Sequence, residues 1–205
     1  TMAQTSTTLS GEKSHIANIT GEDISITASG STYTVSSPSD GTVLTGSGKL
    51  NERDIFSVTG TQFNNKTFTV KDVVSATEFT VEEVVTQDGN SDGSSTFILN
   101  HTGFNTAKAK GDGYYSQPDG VHTVAYHINA SLNDDDDISI KMQGSLATTP
   151  TEDDYFDIAG TTISKTEIDG STLAFSANFT GNYVWVRARV TGMSAGAITK
   201  ILYNN

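Results

Sequence analysis

Cysteine is absent from the 205 residues, so no disulfide braces the fold and no thiolate serves as nucleophile or metal ligand. Proline is scarce, at three residues, and Trp185 is the one tryptophan. Cations are few as well: 12 Lys and Arg face 24 Asp and Glu, a net charge of −12. That balance argues against nucleic acid, whose phosphates are bound by clustered Lys and Arg, and against anionic membrane surfaces. No apolar run approaches the ~20 residues of a membrane-spanning helix, and Thr1–Gly11 lacks a signal-peptide core. The Leu, Ala, Glu and Lys that long amphipathic helices need are in short supply.

Thr, Ser, Asn, Asp and Gly are plentiful instead, alongside many β-branched residues, and hydrophobic residues make up 35%. Short strands that each bury one face, joined by polar turns, produce such a composition. The expected fold class is all-β: a small N-terminal β-barrel or sandwich followed by a C-terminal, jelly-roll-like β-sandwich. The clearest strand lies in Gly181–Asn205. From Tyr183 the residues alternate, with Val184, Val186, Ala188 and Val190 on one face and Tyr183, Trp185, Arg187 and Arg189 on the other.

Four segments follow from the patterning. Residues 1–14 form a polar arm with only Met2 and Leu9 to bury, either unstructured or pinned onto a neighbour. Residues 15–86 form the small β domain. Its strand candidates are His15–Thr20, Asp23–Ala28, Thr32–Ser36, Thr42–Thr45, Asp54–Val58, Lys66–Asp72 and Glu78–Val85, with Phe68, Val70, Phe79 and Val81 facing one core. Residues 87–95, QDGNSDGSS, contain no apolar member and read as a linker. Residues 96–205 form the sandwich, with strands at Thr96–His101, Val121–Leu132, Ile138–Ser145, Tyr155–Ile163, Thr172–Asn178, Tyr183–Thr191 and Ala197–Tyr203. Their inward sets are Val124, Tyr126, Ile128, Ala130 and Leu132, then Ile138, Ile140 and Met142. Phe104–Gly120 reads as an ordered loop.

Candidate chemistry is thin. Asp134, Asp135, Asp136 and Asp137 form an acidic run whose oxygen-only ligands would suit Ca²⁺, but the spacing of a calcium loop is missing and a solvated turn is the plainer reading. The same holds for Glu152, Asp153, Asp154 and Asp157. The histidines His15, His101, His122 and His127 show no metal-binding spacing, and no G-x-S-x-G elbow surrounds a serine. Gly111–Tyr115 resembles a phosphate loop only in its glycines. No enzyme is expected, and no cofactor beyond that weak calcium candidate. The sharpest binding candidate is the row Tyr183, Trp185, Arg187 and Arg189, since Trp, Tyr and Arg dominate interface hot spots. Its alternatives are a sugar-stacking platform, or a row that packs under its own chain with the arginines paired to nearby Asp.

Two stretches resemble virion proteins of tailed phages. Asp54–Gly60, Asn64–Val70 and Ala76–Val81 are similar to a small β-module of such proteins, with Arg53-Asp54 in place of the usual Gly-Asp. ISIKMQGSLATTPTEDDYFDIAGTTI, followed by NYVWVRARVTGMSAGAITKILYNN, is similar to C-terminal sandwich domains of marine-phage structural proteins. The resemblance implies a non-enzymatic structural protein of a marine or cyanophage-like virion, in capsid decoration or associated with the tail. Its partners would be other virion proteins and further copies of itself. A receptor- or carbohydrate-binding tail-fibre module is the alternative.

Overall fold

In a computed structural model of the chain, residues 6–21, 25–29, 32–36, 44–45, 49–61, 63–76, 78–86, 97–129, 132, 137–165, 167–168 and 173–205 are described. Strands dominate, as the alternating patterns require, and the only helical turns among these residues are short 3-10 turns. The chain divides into two units: the residues up to Ser14 together with Asn105–Asn205, and His15–Phe104 between them in sequence. We call the first the sandwich unit and the second the inner unit. The chain opens with β1 (Ser6–Ser10) and β2 (Lys13–Ser14).

The inner unit contains β3 (Ile19–Gly21), β4 (Ser25–Ser29), β5 (Thr32–Ser36), β6 (Asp54–Thr59), β7 (Thr67–Ser75), β8 (Glu78–Val81) and most of β9 (Phe97–Asn105). All pair antiparallel along one open path, β3-β9-β6-β7-β8-β5-β4, so no barrel closes. β7 pairs with β6 through Thr67–Thr69 and with β8 from Val70 onward, and register shifts bend it between those partners. Phe68, Val70, Phe79 and Val81 are buried, as their period predicts, and join Phe56, Val58, Leu44 and Leu99 in one apolar cluster. Of the buried polar groups here, His101 reaches farthest, its Nδ1 accepting the Ile16 N–H at 3.1 Å across 85 residues, while others bond to turns. The Asp54 carboxylate accepts the Asn51 N–H at 2.7 Å, and Asn64 exchanges two bonds with the Thr86 backbone.

The sandwich unit adds β10 (Ala109–Lys110), β11 (Val121–Ile128), β12 (Ser139–Ser145), β13 (Phe156–Asp157), β14 (Ile163–Ser164), β15 (Ala174–Thr180), β16 (Trp185–Thr191) and β17 (Ala197–Asn204). One sheet runs β1-β17-β11-β15, with β2 also on β17. In the other, β12 lies beside β16, with β10 on β16 and β13 and β14 on β12. Val124, Tyr126 and Ile128 from the first sheet and Ile140, Met142, Val186, Ala188 and Val190 from the second are all buried. The Tyr126 hydroxyl donates to the Thr161 carbonyl at 2.9 Å, and burial pushes this phenol far above its ordinary pKa.

Several boundaries differ from expectation. Residues 87–95, expected as a linker, lie outside the described residues. The Thr96–His101 candidate becomes β9, which runs on to Asn105 and pairs with β6, so its residues through Phe104 join the inner unit instead of the sandwich. The polar arm is a sheet strand: Ser6–Ser10 pairs with β17 and buries Leu9. Tyr155–Ile163 supplies only the two-residue strands β13 and β14, because the intervening chain turns through Ala159-Gly160. Leu44 and Thr45 are not in a strand.

Candidate functional site

The row singled out in β16 and just before it does not lie open to solvent as a unit. Gly144 carries no side chain, and the Tyr183 ring occupies that space: a Cβ at Gly144 would come within 2.5 Å of Tyr183 Cδ1. Tyr183 also donates its hydroxyl to the Thr180 carbonyl. Partial burial, with the nearby Asp119 carboxylate second, raises the Tyr183 pKa.

Arg187 departs furthest from a solvent-facing residue, since it is only 3% exposed. A capping box formed by Thr151 and Asp154 shapes the 3-10 turn Glu152–Asp154 and presents Glu152 to the arginine. The guanidinium then donates to both Glu152 carboxylate oxygens, at 2.6 and 2.8 Å, and through Nε to Gln143 at 3.0 Å. Gln143 is its cross-strand partner in β12, and the Tyr155 ring covers the guanidinium at 3.7 Å. This planar, bidentate arrangement is the geometry that Arg forms with carboxylate. Arg189 lies 4.0 Å from Glu152, which thus meets two arginines. The row's arginines pair with a glutamate inside the unit, and Arg187 has no surface to offer a partner.

Trp185 is different. Its indole N–H donates to the Thr148 carbonyl at 3.0 Å, fixing the ring at the surface, where Tyr114 meets it edge-on at 4.9 Å and Tyr115 follows at 5.2 Å from Tyr114. Lys108 Nζ lies 4.5 Å above the indole, and Lys110 Nζ lies 4.1 Å above Tyr114. The tyrosines are 43% and 52% exposed, so this cluster presents aromatic edges and ammonium groups together. Three of its backbone sources are rigid: β16, β10, and the 3-10 turn Asp112–Tyr115, whose Gly111 and Gly113 donate to the Val184 and Tyr183 carbonyls. From sequence, Tyr114 and Tyr115 fall within the loop expected over Phe104–Gly120. Their link to Trp185 comes from the register that places Lys110 opposite it.

Of the acidic run, Asp134–Asp136 lie outside the described residues, and Asp137 is an exposed turn residue. Glu152 and Asp157 are committed elsewhere, Glu152 to Arg187 and Asp157 to Lys141 and Gln143. At Asp157, burial would raise the pKa, but the bonds from Lys141 and Gln143 outweigh it and hold the carboxyl below its usual value.

Among the histidines, His122 was read as an ordinary strand residue. It is fully buried in a cluster with Phe179 and Tyr203, its ring centroid 5.0 and 5.8 Å from theirs, and bonded through Nδ1 to the Tyr203 hydroxyl at 2.8 Å. The signal was present: the inward alternation of β11, carried one step back from Val124, reaches His122. One ligand atom each from Asp112, Asp119 and His122 lie within 4.8 Å of one another, a set of donors that could hold a metal ion. Compared with protein-family models the chain matches none, and no curated protein matches it.

Proposed function

We propose that this chain is a non-enzymatic structural protein of a tailed-phage virion, docking on other virion proteins as a capsid decoration or a tail or neck component. The observation that supports docking is the surface around Trp185. It combines Tyr114, Tyr115 and Trp185 with Lys108 and Lys110 on backbone already fixed by hydrogen bonds, in a chain of net charge −12. Preorganised aromatics lose little conformational freedom on binding, and lysines among them favour an acidic partner surface. The virion assignment rests on the two resembling stretches. A carbohydrate-binding tail module is less well supported, because a sugar would have to displace lysines from the ring faces on which it stacks.

The test is protein quantification on gradient-purified particles of a phage that encodes the chain. A fixed copy number per particle supports the proposal, and absence from particles overturns it. Within particles, the double substitution Tyr115→Ala/Lys110→Glu is expected to lower occupancy at least about tenfold, a loss of about 1.4 kcal/mol of docking free energy. Unchanged occupancy sinks the assignment of docking to this surface.

A further inference from the structure

His122 is buried behind the 3-10 turn whose Tyr114 and Tyr115 face Trp185. Three groups converge on its Nε2 edge. Asp112 belongs to the 3-10 turn Asp112–Tyr115, Asp119 to the loop before β11, and the Gly181 carbonyl to the turn between β15 and β16. His122 Nε2 lies 3.5 Å from Asp112 Oδ2 and 3.3 Å from the Gly181 oxygen. Both separations exceed those of a good N–H···O bond, and a neutral imidazole has one proton there for two oxygens. Two ligands at about 2.1–2.2 Å from one ion, subtending roughly 90–110°, stand about 3.0–3.6 Å apart. The spacing of His122 Nε2, Asp112 Oδ2 and the Gly181 oxygen therefore also fits ligands around a cation, with the Asp119 carboxylate within 4.8 Å of the other two side-chain ligand atoms.

The surroundings orient the same atoms. Stacking on Phe179 and Tyr203, at interplanar angles of 23° and 17°, fixes the imidazole plane. Nδ1 meets the Tyr203 hydroxyl, the kind of outer partner that sets the tautomer and aim of a metal-bound histidine. The Gly120 N–H donates to Asp112 Oδ2 at 2.7 Å, and the Gly181 N–H donates to Asp119 Oδ1 at 2.6 Å, so backbone groups hold both carboxylates in place. Gly181 has φ +145°, a backbone conformation open to glycine that turns its carbonyl and its N–H toward this cluster.

We propose that Asp112, Asp119, His122 and the Gly181 carbonyl bind one divalent transition-metal ion of the Zn²⁺ or Mn²⁺ type. The imidazole selects against Ca²⁺, which takes oxygen ligands, and the mixed nitrogen and oxygen set suits the borderline metals. With four protein donors the ion is structural: it ties the 112–122 segment to the turn that precedes β16. This proposal is independent of the docking role.

The experiment is calorimetric titration of the metal-stripped full chain with Zn²⁺ alone, Mn²⁺ alone and Ca²⁺ alone, beside thermal unfolding in each. Saturable binding of one Zn²⁺ or Mn²⁺ per chain with a raised Tm, and weaker binding of Ca²⁺, is the expected result. The exposed Asp119 permits a substitution that leaves the core alone, so Asp119→Asn is expected to keep the circular dichroism spectrum and lose at least about tenfold in affinity. No binding of either transition ion overturns the proposal. So does Zn²⁺ or Mn²⁺ binding that survives unchanged in both Asp119→Asn and Asp112→Asn, which would mark an adventitious ion only.

Discussion

In the inner unit the buried side chains are mostly aliphatic or phenylalanine, and Asp54 and Asn64 bond to turns, with His101, which accepts the Ile16 N–H across 85 residues, as an exception. In the sandwich unit the buried polar groups instead join distant elements. Arg187 links β16 to the 3-10 turn Glu152–Asp154, Tyr126 reaches Thr161, and Tyr203 reaches His122 across 81 residues of sequence. A polar group satisfied by its own turn costs little in specificity. One satisfied by a distant strand holds only when the whole register is right. The inner unit is therefore expected to suffer chiefly from cavities, and the sandwich unit to suffer when one member of a network is removed.

The sharpest way to break this contrast is in the inner core. Phe56→Ala removes a fully buried ring that meets Phe79 at 6.3 Å, and should cost about 3–5 kcal/mol in denaturant unfolding. A cost under about 1 kcal/mol would mean that the cluster is not what holds the unit. In the sandwich unit, Arg187→Ala removes the bidentate partner of Glu152 and the Nε donor to Gln143, leaving Glu152 its weaker contacts with Arg189 and Asn105. It should cost about 3 kcal/mol, at the lower end for a broken buried pair because Glu152 keeps 28% of its side chain exposed. The double variant Arg187→Met/Glu152→Gln should lose less than the sum of its singles, and strict additivity would show that the two do not act as a pair.

Gly144→Ala comes next, since its methyl must displace the Tyr183 ring. About 2 kcal/mol is expected, with partial recovery in a Tyr183→Leu background, and a neutral Gly144→Ala would refute the contact. Tyr203→Phe leaves His122 Nδ1 buried without its partner, at a cost of about 1–2 kcal/mol read by Tm.

The smallest effect is in acid. Bonds from the Thr151 backbone and hydroxyl hold Asp154 below its usual pKa, and bonds from Ser164 do the same for Glu167. At Asp157 burial works the other way but is outweighed by Lys141 and Gln143. Depressed folded values mean that this stability is fully present above the unfolded carboxylate pKa near pH ~4 and is lost as pH falls through the folded values. All three groups lie in the sandwich unit. Hydrogen exchange compared at pH 5 and pH 3 should show protection eroding there, and an unchanged pattern would count against these bonds.

Much of the fold was legible because period-two alternation is a local property. Thr32–Ser36 is β5 to the residue, and Val124, Tyr126, Ile128, Leu132, Ile138, Ile140, Met142, Val186, Ala188 and Val190 are buried as their alternation predicts, while Val184 is half-buried and Ala130 lies outside the described residues. The alternation also placed Tyr183, Trp185, Arg187 and Arg189 on one face. What covers that face is not local: the glutamate that pairs with Arg187 stands 35 residues away on a three-residue turn. For the same reason Trp185 could be found while Tyr114 and Lys110 beside it could not. The division of the chain was obscured in the same way, since only the pairing of β9 with β6 tells where Phe97–Phe104 belongs.

The strand order carries a consequence for synthesis. Ser6–Ser10 lies against Ala197–Asn204, so β1 waits for the much later β17 before it finds this partner. His15–Phe104, by contrast, pairs β3 through β9 with one another along one continuous stretch and can begin to fold while the ribosome is still at work. Completion of the sandwich is then a long-range event, and its rate should depend on keeping a short Thr/Ser-rich strand unengaged until β17 is made. The polarity of that strand, which gives it so little to bury, is also what lets it wait without aggregating.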